Sequence, residues 1–314
     1  MTRHQPAICG LFYASPQRDT HSELVFPGNI RRIIFTMDRI AAFNTIAAQV
    51  SQGAITFPAS VQVLRKLQLA LSDPECHIDT ATKLVQTDPM LAARAVALAN
   101  SVAYNRSGNE ILNVRNAVQR VGIRTLQSLL TALLVRQLAS AVTNPQVRRQ
   151  AAQLWEHTAH VAALAQVLAR RVSHVDPDTA LFAGIVHEVG GFYMLSQMDA
   201  HPGLLDGEPE DWINHGEMTI SRGVLKVLVT PAPVMEAVEA LWMGMRALPP
   251  ETLGDTLLLA NDLAPVASPL HQRPGATTLL AARTIDCVVG SGTLQSVMSD
   301  AADEVKSLLG VLML

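Results

Sequence analysis

The sequence predicts an all-α protein, arranged as two packed helical bundles followed by a C-terminal helical extension. Three observations predict it. Of the 314 residues 49% are hydrophobic but only 4% aromatic, with a mean hydropathy of +0.22. That is the composition of aliphatic, Ala- and Leu-rich packed helices, not of a disordered chain. Apolar residues recur at helical spacing along most of the length. Asp88-Pro89 and Asp176-Pro177 each set a short polar side chain ahead of a proline, the order that starts a helix.

Taken in order, residues 1–36 are mixed and polar, contain Pro6, Pro16 and Pro27, and read as a loose tail. A helix is expected from Met37-Asp38-Arg39-Ile40, with Ile40, Phe43, Ile46 or Ala47, and Val50 on one side; Met37 is the expected translation start. From Asp88 a capped helix carries Leu91, Ala95, Leu98 and Ala99 on one face and ends at Asn100-Ser101. Val114 to Ala141 is densely apolar, and Gly122 either separates two helices or lets them approach closely. Thr143-Asn144-Pro145 divides the first bundle from the second.

In the second bundle Leu154, His157 or Thr158, Val161, Leu164 or Ala165, and Leu168 form one stripe, with His157 at the edge of the buried face. The helix that starts at Asp176-Pro177-Asp178 carries His187-Glu188 near its end. His201 to Asp211 reads as a surface loop. Helices follow at about Asp211–Leu225, Pro233–Met245 and Thr252–Ala264, and the series Leu294, Val297, Met298, Ala301, Val305, Leu308 gives the last one.

Several function classes are poor fits. A formal charge of −3 argues against broad attraction to nucleic acid. Cys9, Cys76 and Cys287 are far apart and read as reduced thiols of a cytoplasmic protein, not as a disulfide framework or a zinc site. The apolar run Thr179 to Leu195 contains His187 and Glu188 and is short for a bilayer span, so no membrane insertion is expected. A secretory signal is not evident. Lys66, Lys83, Lys226 and Lys306 lack a phosphate-loop context, and no G-x-S-x-G elbow occurs. Gly290-Ser291-Gly292-Thr293 is better explained as a turn and cap before Leu294 than as an anion loop.

A longer pattern runs through both bundles. It includes Phe57-Pro58, Val61, Val63-Leu64, Leu67 and Ser72-Asp73-Pro74, then Ala81, Leu84-Val85, Asp88-Pro89 and Ala99-Asn100-Ser101-Val102-Ala103-Tyr104. Ile111, Val114, Ala117-Val118 and Val121-Gly122 continue it, and Leu154-Trp155-Glu156-His157-Thr158 and the run from Leu181 to Gly190 complete it. Over roughly residues 45 to 245 the chain resembles the HDOD family, bacterial helical domains related to HD metal-dependent phosphohydrolases. The resemblance implies an HDOD domain over 37–245, with an N-terminal half at 37–145 and an HD-like half at 146–245, and an extension at 246–314.

HD phosphohydrolases use a His, a His-Asp pair and a distant Asp to hold a metal whose bound water attacks phosphorus. His157, His187, Glu188 and Asp262 fall in that order. Glu188 stands where the catalytic motif has Asp, Gly191 where HD-GYP phosphodiesterases carry Lys, and Leu241-Trp242 where related HDOD sequences often have a His pair. The expectation is therefore a degenerate remnant with no catalytic residue, no metal and no cofactor, its His and Glu serving as a satisfied buried pair, the alternatives being a metal retained without turnover and hydrolysis. His157 and His160 could mimic a ligand pair, but one buried and one solvated histidine is the more ordinary arrangement.

The resemblance implies a non-catalytic bacterial signal-transduction module, of a kind linked to cyclic-di-GMP signalling and free-standing here, so that input arrives in trans from a signalling protein or from a small-molecule or nucleotide ligand. The alternative is an HD-type metal-dependent phosphohydrolase acting on a nucleotide or cyclic dinucleotide. Arg94, Arg106 and Arg115, with Asn100, Ser101 and Tyr104 between them and Arg120 and Arg124 beyond, form the expected interaction surface, or else a solvated helix face.

Overall fold

The computed structural model describes residues 38–55, 57, 59–140, 142–244, 247–270 and 293–314. The expected tail, Met37, Cys9, Cys287 and Gly290–Gly292 lie outside the described residues. Asp38 opens α1 (Arg39–Ser51), its side chain accepting from the Ala41 amide, as the sequence leads one to expect. The buried face is Ala42, Phe43, Ile46, Ala47 and Val50, whereas Ile40 is 41% exposed and lies off the predicted stripe. α2 (Ala59–Leu71) and α3 (Ile78–Gln86) follow, then α4 (Pro89–Ala99), capped by Asp88 on the Leu91 amide.

α4 ends in a clamp: the Asn100 side chain donates to the Ile111 carbonyl at 2.7 Å and accepts from the Ile111 amide at 2.8 Å, closing the loop to α5 (Val114–Leu138). Gly122 breaks α5 with φ 80° and ψ 163°. A Cβ there would meet nothing within 4 Å, so this glycine separates two helical segments and does not serve a close approach.

Asn144 caps α6 (Pro145–Leu168), which runs into a π-helical turn, Ala169–Ser173. α7 (Pro177–Val186) and α8 (Val189–Ser196) come next, joined through His187 and Glu188. The helix expected from Asp211 begins earlier, as α9 (Pro209–Trp212), and passes through the π turn Ile213–Glu217 into α10 (Met218–Val227). α11 (Ala232–Met243) and α12 (Leu253–Leu263) match expectation. α12 opens on a capping box in which Thr252 and Asp255 serve each other's backbone. The last expected helix is two, α13 (Thr293–Asp300) and α14 (Ala302–Met313).

No strand occurs among the described residues, and the fold is all-α. None of the described helices is long and apolar enough to cross a membrane. α5 packs against α2, α3 and α4 and also against α7 and α8. The two halves therefore share one apolar core running from Ala42 to Leu312. Each fully buried Leu, Ile or Phe there contributes about 1.5–3 kcal/mol, which makes α5 the element on which both halves depend.

Candidate functional site

α6 and α7 pack so closely that a Cβ on Gly184 would stand 2.4 Å from the Ala162 Cα. Only glycine fits, and the approach brings the end of α7 over the middle of α6. His157 projects from α6, His187 ends α7 and Glu188 precedes α8; all three are buried, at 3%, 2% and 5% exposure. One ligand atom of each lies within 4.8 Å of the others.

Hydrogen bonds fix both rings. His157 Nδ1 donates to the Val266 carbonyl at 2.7 Å and His187 Nδ1 to the Gly184 carbonyl at 2.7 Å, because a carbonyl can only accept. The two Nε2 atoms, 3.3 Å apart, are then both acceptors when the rings are neutral. A proton or a cation is what reconciles two lone pairs at that distance. Two nitrogens each about 2.0–2.1 Å from one tetrahedral zinc ion stand about 3.3–3.4 Å apart. Backbone acceptors on Nδ1 are also the usual outer support of metal-bound histidine. The residues therefore fit a divalent ion, held by His157 Nε2, His187 Nε2 and the Glu188 carboxylate. The longer Glu188 side chain does not carry its oxygen out of reach.

The site is closed by the segment that leaves α12. Gln153 Nε2 donates to the Ala267 carbonyl at 3.1 Å, the Val266 carbonyl receives His157, and Leu270, 4% exposed, lies against Gly191. A Cβ on Gly191 would stand 2.5 Å from Leu270 Cδ1, 3.3 Å from Glu188 Oε2 and 3.4 Å from Leu154 Cδ2. A lysine at this position has no room while Leu270 is in place. Asp262, half-buried at the end of α12, is not one of the three side chains whose ligand atoms converge. His160 is half-buried, and burial lowers its pKa, with Glu156 opposing; it too stands outside the cluster.

The expected arginine surface does not converge. Arg94 is 1% exposed, inside the core on the buried face of α4, its Nε and Nη1 without hydrogen-bond acceptors; burial, with Arg136 nearby, lowers its pKa to about 10, against the pull of Asp88. Its position follows from spacing, since it shares the face of Leu91, Ala95 and Leu98. Ser101 is buried at 4% and Asn100 is consumed by its clamp. Arg120 donates to the Ala99 and Asn109 carbonyls, bracing the same loop. Arg106 and Arg115 are exposed, Arg115 paired with Asp79 at 2.6 Å.

Tyr104 turns inward: its hydroxyl donates to Asp178 Oδ1 at 2.5 Å and accepts from Gln166 Nε2 at 2.9 Å. Burial, then the Asp178 charge, raises its pKa. Gln166, 0% exposed, has no signal in the sequence, and Asp178 enters there only as part of a helix start. The polar series Thr125, Ser128 and Thr131, all buried, on α5 was not singled out either. Its spacing of three along an otherwise apolar helix is a signal that could have been read.

Residues 57–209 match the family model of the HDOD domain. An "Uncharacterized protein" of Treponema pallidum (strain Nichols) is 25% identical over 191 residues, 59% of this chain; the chain spans 33% of that relative's length. Among solved structures, a "Putative metal-dependent phosphohydrolase" from Shewanella amazonensis SB2B is similar with a TM-score of 0.67 at 21% identity, over 88% of this chain and 100% of that one. An "HDOD domain protein with unknown function" from Geobacter sulfurreducens gives 0.59 at 19%, over 87% and 99%. A "Putative signal transduction protein" from Marinobacter aquaeolei VT8 gives 0.53 at 18%, over 89% and 67%. At these identities the likeness establishes the fold alone.

Proposed function

This chain carries an HDOD domain, and from that premise we propose that it is a non-catalytic regulatory module of signal transduction, acting through a bound protein or small ligand. One observation carries the reading. The three side chains that correspond to an HD metal centre are 2–5% exposed, with Leu270 occupying the space that a phosphate-binding lysine would need. In-line attack on a phosphoester requires substrate within about 3–3.5 Å of a metal-bound water, and a sealed core gives it no approach. The naming of one structural relative as a signal-transduction protein agrees with a regulatory role.

The ring geometry favours a second reading of the same centre, a metal retained without turnover. A divalent ion there would supply Lewis acidity and an activated water, while His157, His187 and Glu188 orient and shield it. Two measurements separate the readings. Incubation of the full chain with manganese and a chromogenic phosphodiester, with a His157→Ala/His187→Ala variant as blank, is expected to show no turnover above the blank; metal-dependent turnover lost in the variant establishes the phosphohydrolase instead. Elemental analysis of protein purified without chelator then decides between a proton and an ion: about one equivalent of metal per chain means that the ion is resident.

A further inference from the structure

α2 and α5 of the first half face α7 and the α10–α11 connection of the second across a cleft of about 530 Å³, lined by none of His157, His187 and Glu188. That volume lies within the range of about 300–1,000 Å³ found for small-molecule sites. Its floor is built and polar. Gln68, 6% exposed, donates through Nε2 to Thr131 Oγ1 and to the Leu228 carbonyl, each at 3.2 Å, so one amide ties α2 to α5 and to the end of α10. Gln127 and Ser128 line the same surface, with Gln127 oriented by its bond to the Leu71 carbonyl at 2.8 Å. Phe182, Leu228, Pro231 and Pro233 supply an apolar wall.

Two charges line the cleft. Arg124 is exposed and makes no ion pair among the described residues. Asp178 has one oxygen committed to Tyr104 and Gln166. At the rim stands Val229, 62% exposed with φ 55°. A β-branched residue in the left-handed region just after a helix is a genuine outlier, since glycine normally fills that position. The turn is pinned by Val229 N–H to the Lys226 carbonyl and Thr230 N–H to the Leu225 carbonyl. Strain retained at an exposed apolar residue beside a cavity is characteristic of a functional site.

We propose that this cleft binds a purine nucleoside monophosphate as an effector. A flat ring suits the wall of Phe182 and the prolines, with Val229 as its edge. The Gln68 and Ser128 side-chain oxygens and the Asp178 carboxylate can accept from ring and ribose hydrogens, and the second Gln127 amide hydrogen can donate, the Gln68 amide hydrogens and the Ser128 and Thr131 hydroxyl hydrogens being spent within the protein. The single guanidinium of Arg124 matches one phosphate, and Asp178, the one anion in the lining, disfavours a polyphosphate.

The proposal rests on the regulatory reading and names its ligand class. The test is calorimetric titration of the full chain with AMP and GMP, with ATP and inorganic phosphate alongside. One monophosphate is expected to bind one per chain, more tightly than ATP, with phosphate alone giving no binding; Arg124→Glu is expected to weaken the complex by about tenfold or more at an unchanged melting temperature. Failure of both monophosphates to bind at about 1 mM, or binding indifferent to Arg124→Glu, overturns the cleft and leaves the non-catalytic reading standing. Chromatography of the recovered nucleotide separates the two ideas: intact monophosphate is expected, and conversion to nucleoside contradicts the non-catalytic reading without touching the cleft.

Discussion

Two polar centres lie along the α5–α6–α7 framework, and they differ in what can reach them. The His157, His187 and Glu188 cluster has metal-binding chemistry but is closed over by the segment from Ala264 to Leu270. The cleft bounded by Gln68, Arg124, Phe182 and Val229 has no such chemistry, yet it is open and carries a cation with no ion pair among the described residues and a strained rim. The difference teaches that donor identity and access are separate properties. Side chains able to hold a metal can lie buried while a cleft elsewhere in the same helical framework stays open.

Substitutions on the two sides should therefore behave oppositely. The largest effect is expected at Gly184, where three added carbons must enter, the first of them 2.4 Å from the Ala162 Cα; Gly184→Val should cost about 3 kcal/mol or more, read by chemical denaturation, and a near-parental midpoint would mean that α6 and α7 can separate cheaply. His157→Ala leaves the Val266 carbonyl without its donor and should cost about 1–3 kcal/mol, as should His187→Ala at the Gly184 carbonyl. An unaltered thermal melt would show that the covering segment is not held by the ring.

Asp255 anchors the start of the helix that feeds that cover. Burial raises its pKa, but the Thr252 hydroxyl and the Ala247, Thr252 and Glu251 amides outweigh burial and hold it below the ordinary value of 3.8. Because the folded pKa is the lower one, its contribution is complete above 3.8 and is lost as pH falls through the folded value. Asp255→Asn should cost about 0.5–2 kcal/mol at neutral pH and progressively less in acid; a difference in melting temperature that is constant from neutral to acid pH would contradict the assignment. The smallest effect is expected at the open cleft. Val229→Gly relieves about 1–2 kcal/mol of left-handed strain but adds about 0.5–1 kcal/mol of chain entropy cost, so a net gain of up to about 1.5 kcal/mol should appear as a higher melting temperature. Loss of stability there would mean that Val229 is held for packing.

The fold was legible because its determinants are local. Asp38, Asp88, Asn144, Asp176 and Thr252 each cap the helix that follows them, and Gly122 breaks α5 through its own φ. The His157, His187 and Glu188 grouping could be named from order along the chain. What could not be read depends on distant packing. Arg94 looks like a surface cation until α4 turns its face inward, and the cover over Gly191 comes from residues about 80 positions away, for which helical period says nothing. The cleft likewise joins Gln68 to Leu228 across 160 positions.

Sealing of the histidine pair is the central claim, and chemical access to the imidazoles tests it most directly. Under native conditions diethyl pyrocarbonate, followed by mass spectrometry, should modify the exposed His77 and His215 rapidly while His157 and His187 stay unmodified until the protein is unfolded. Modification of His157 or His187 at a rate comparable to His77 would contradict the account, because a ring that reagent can reach is one that substrate can reach.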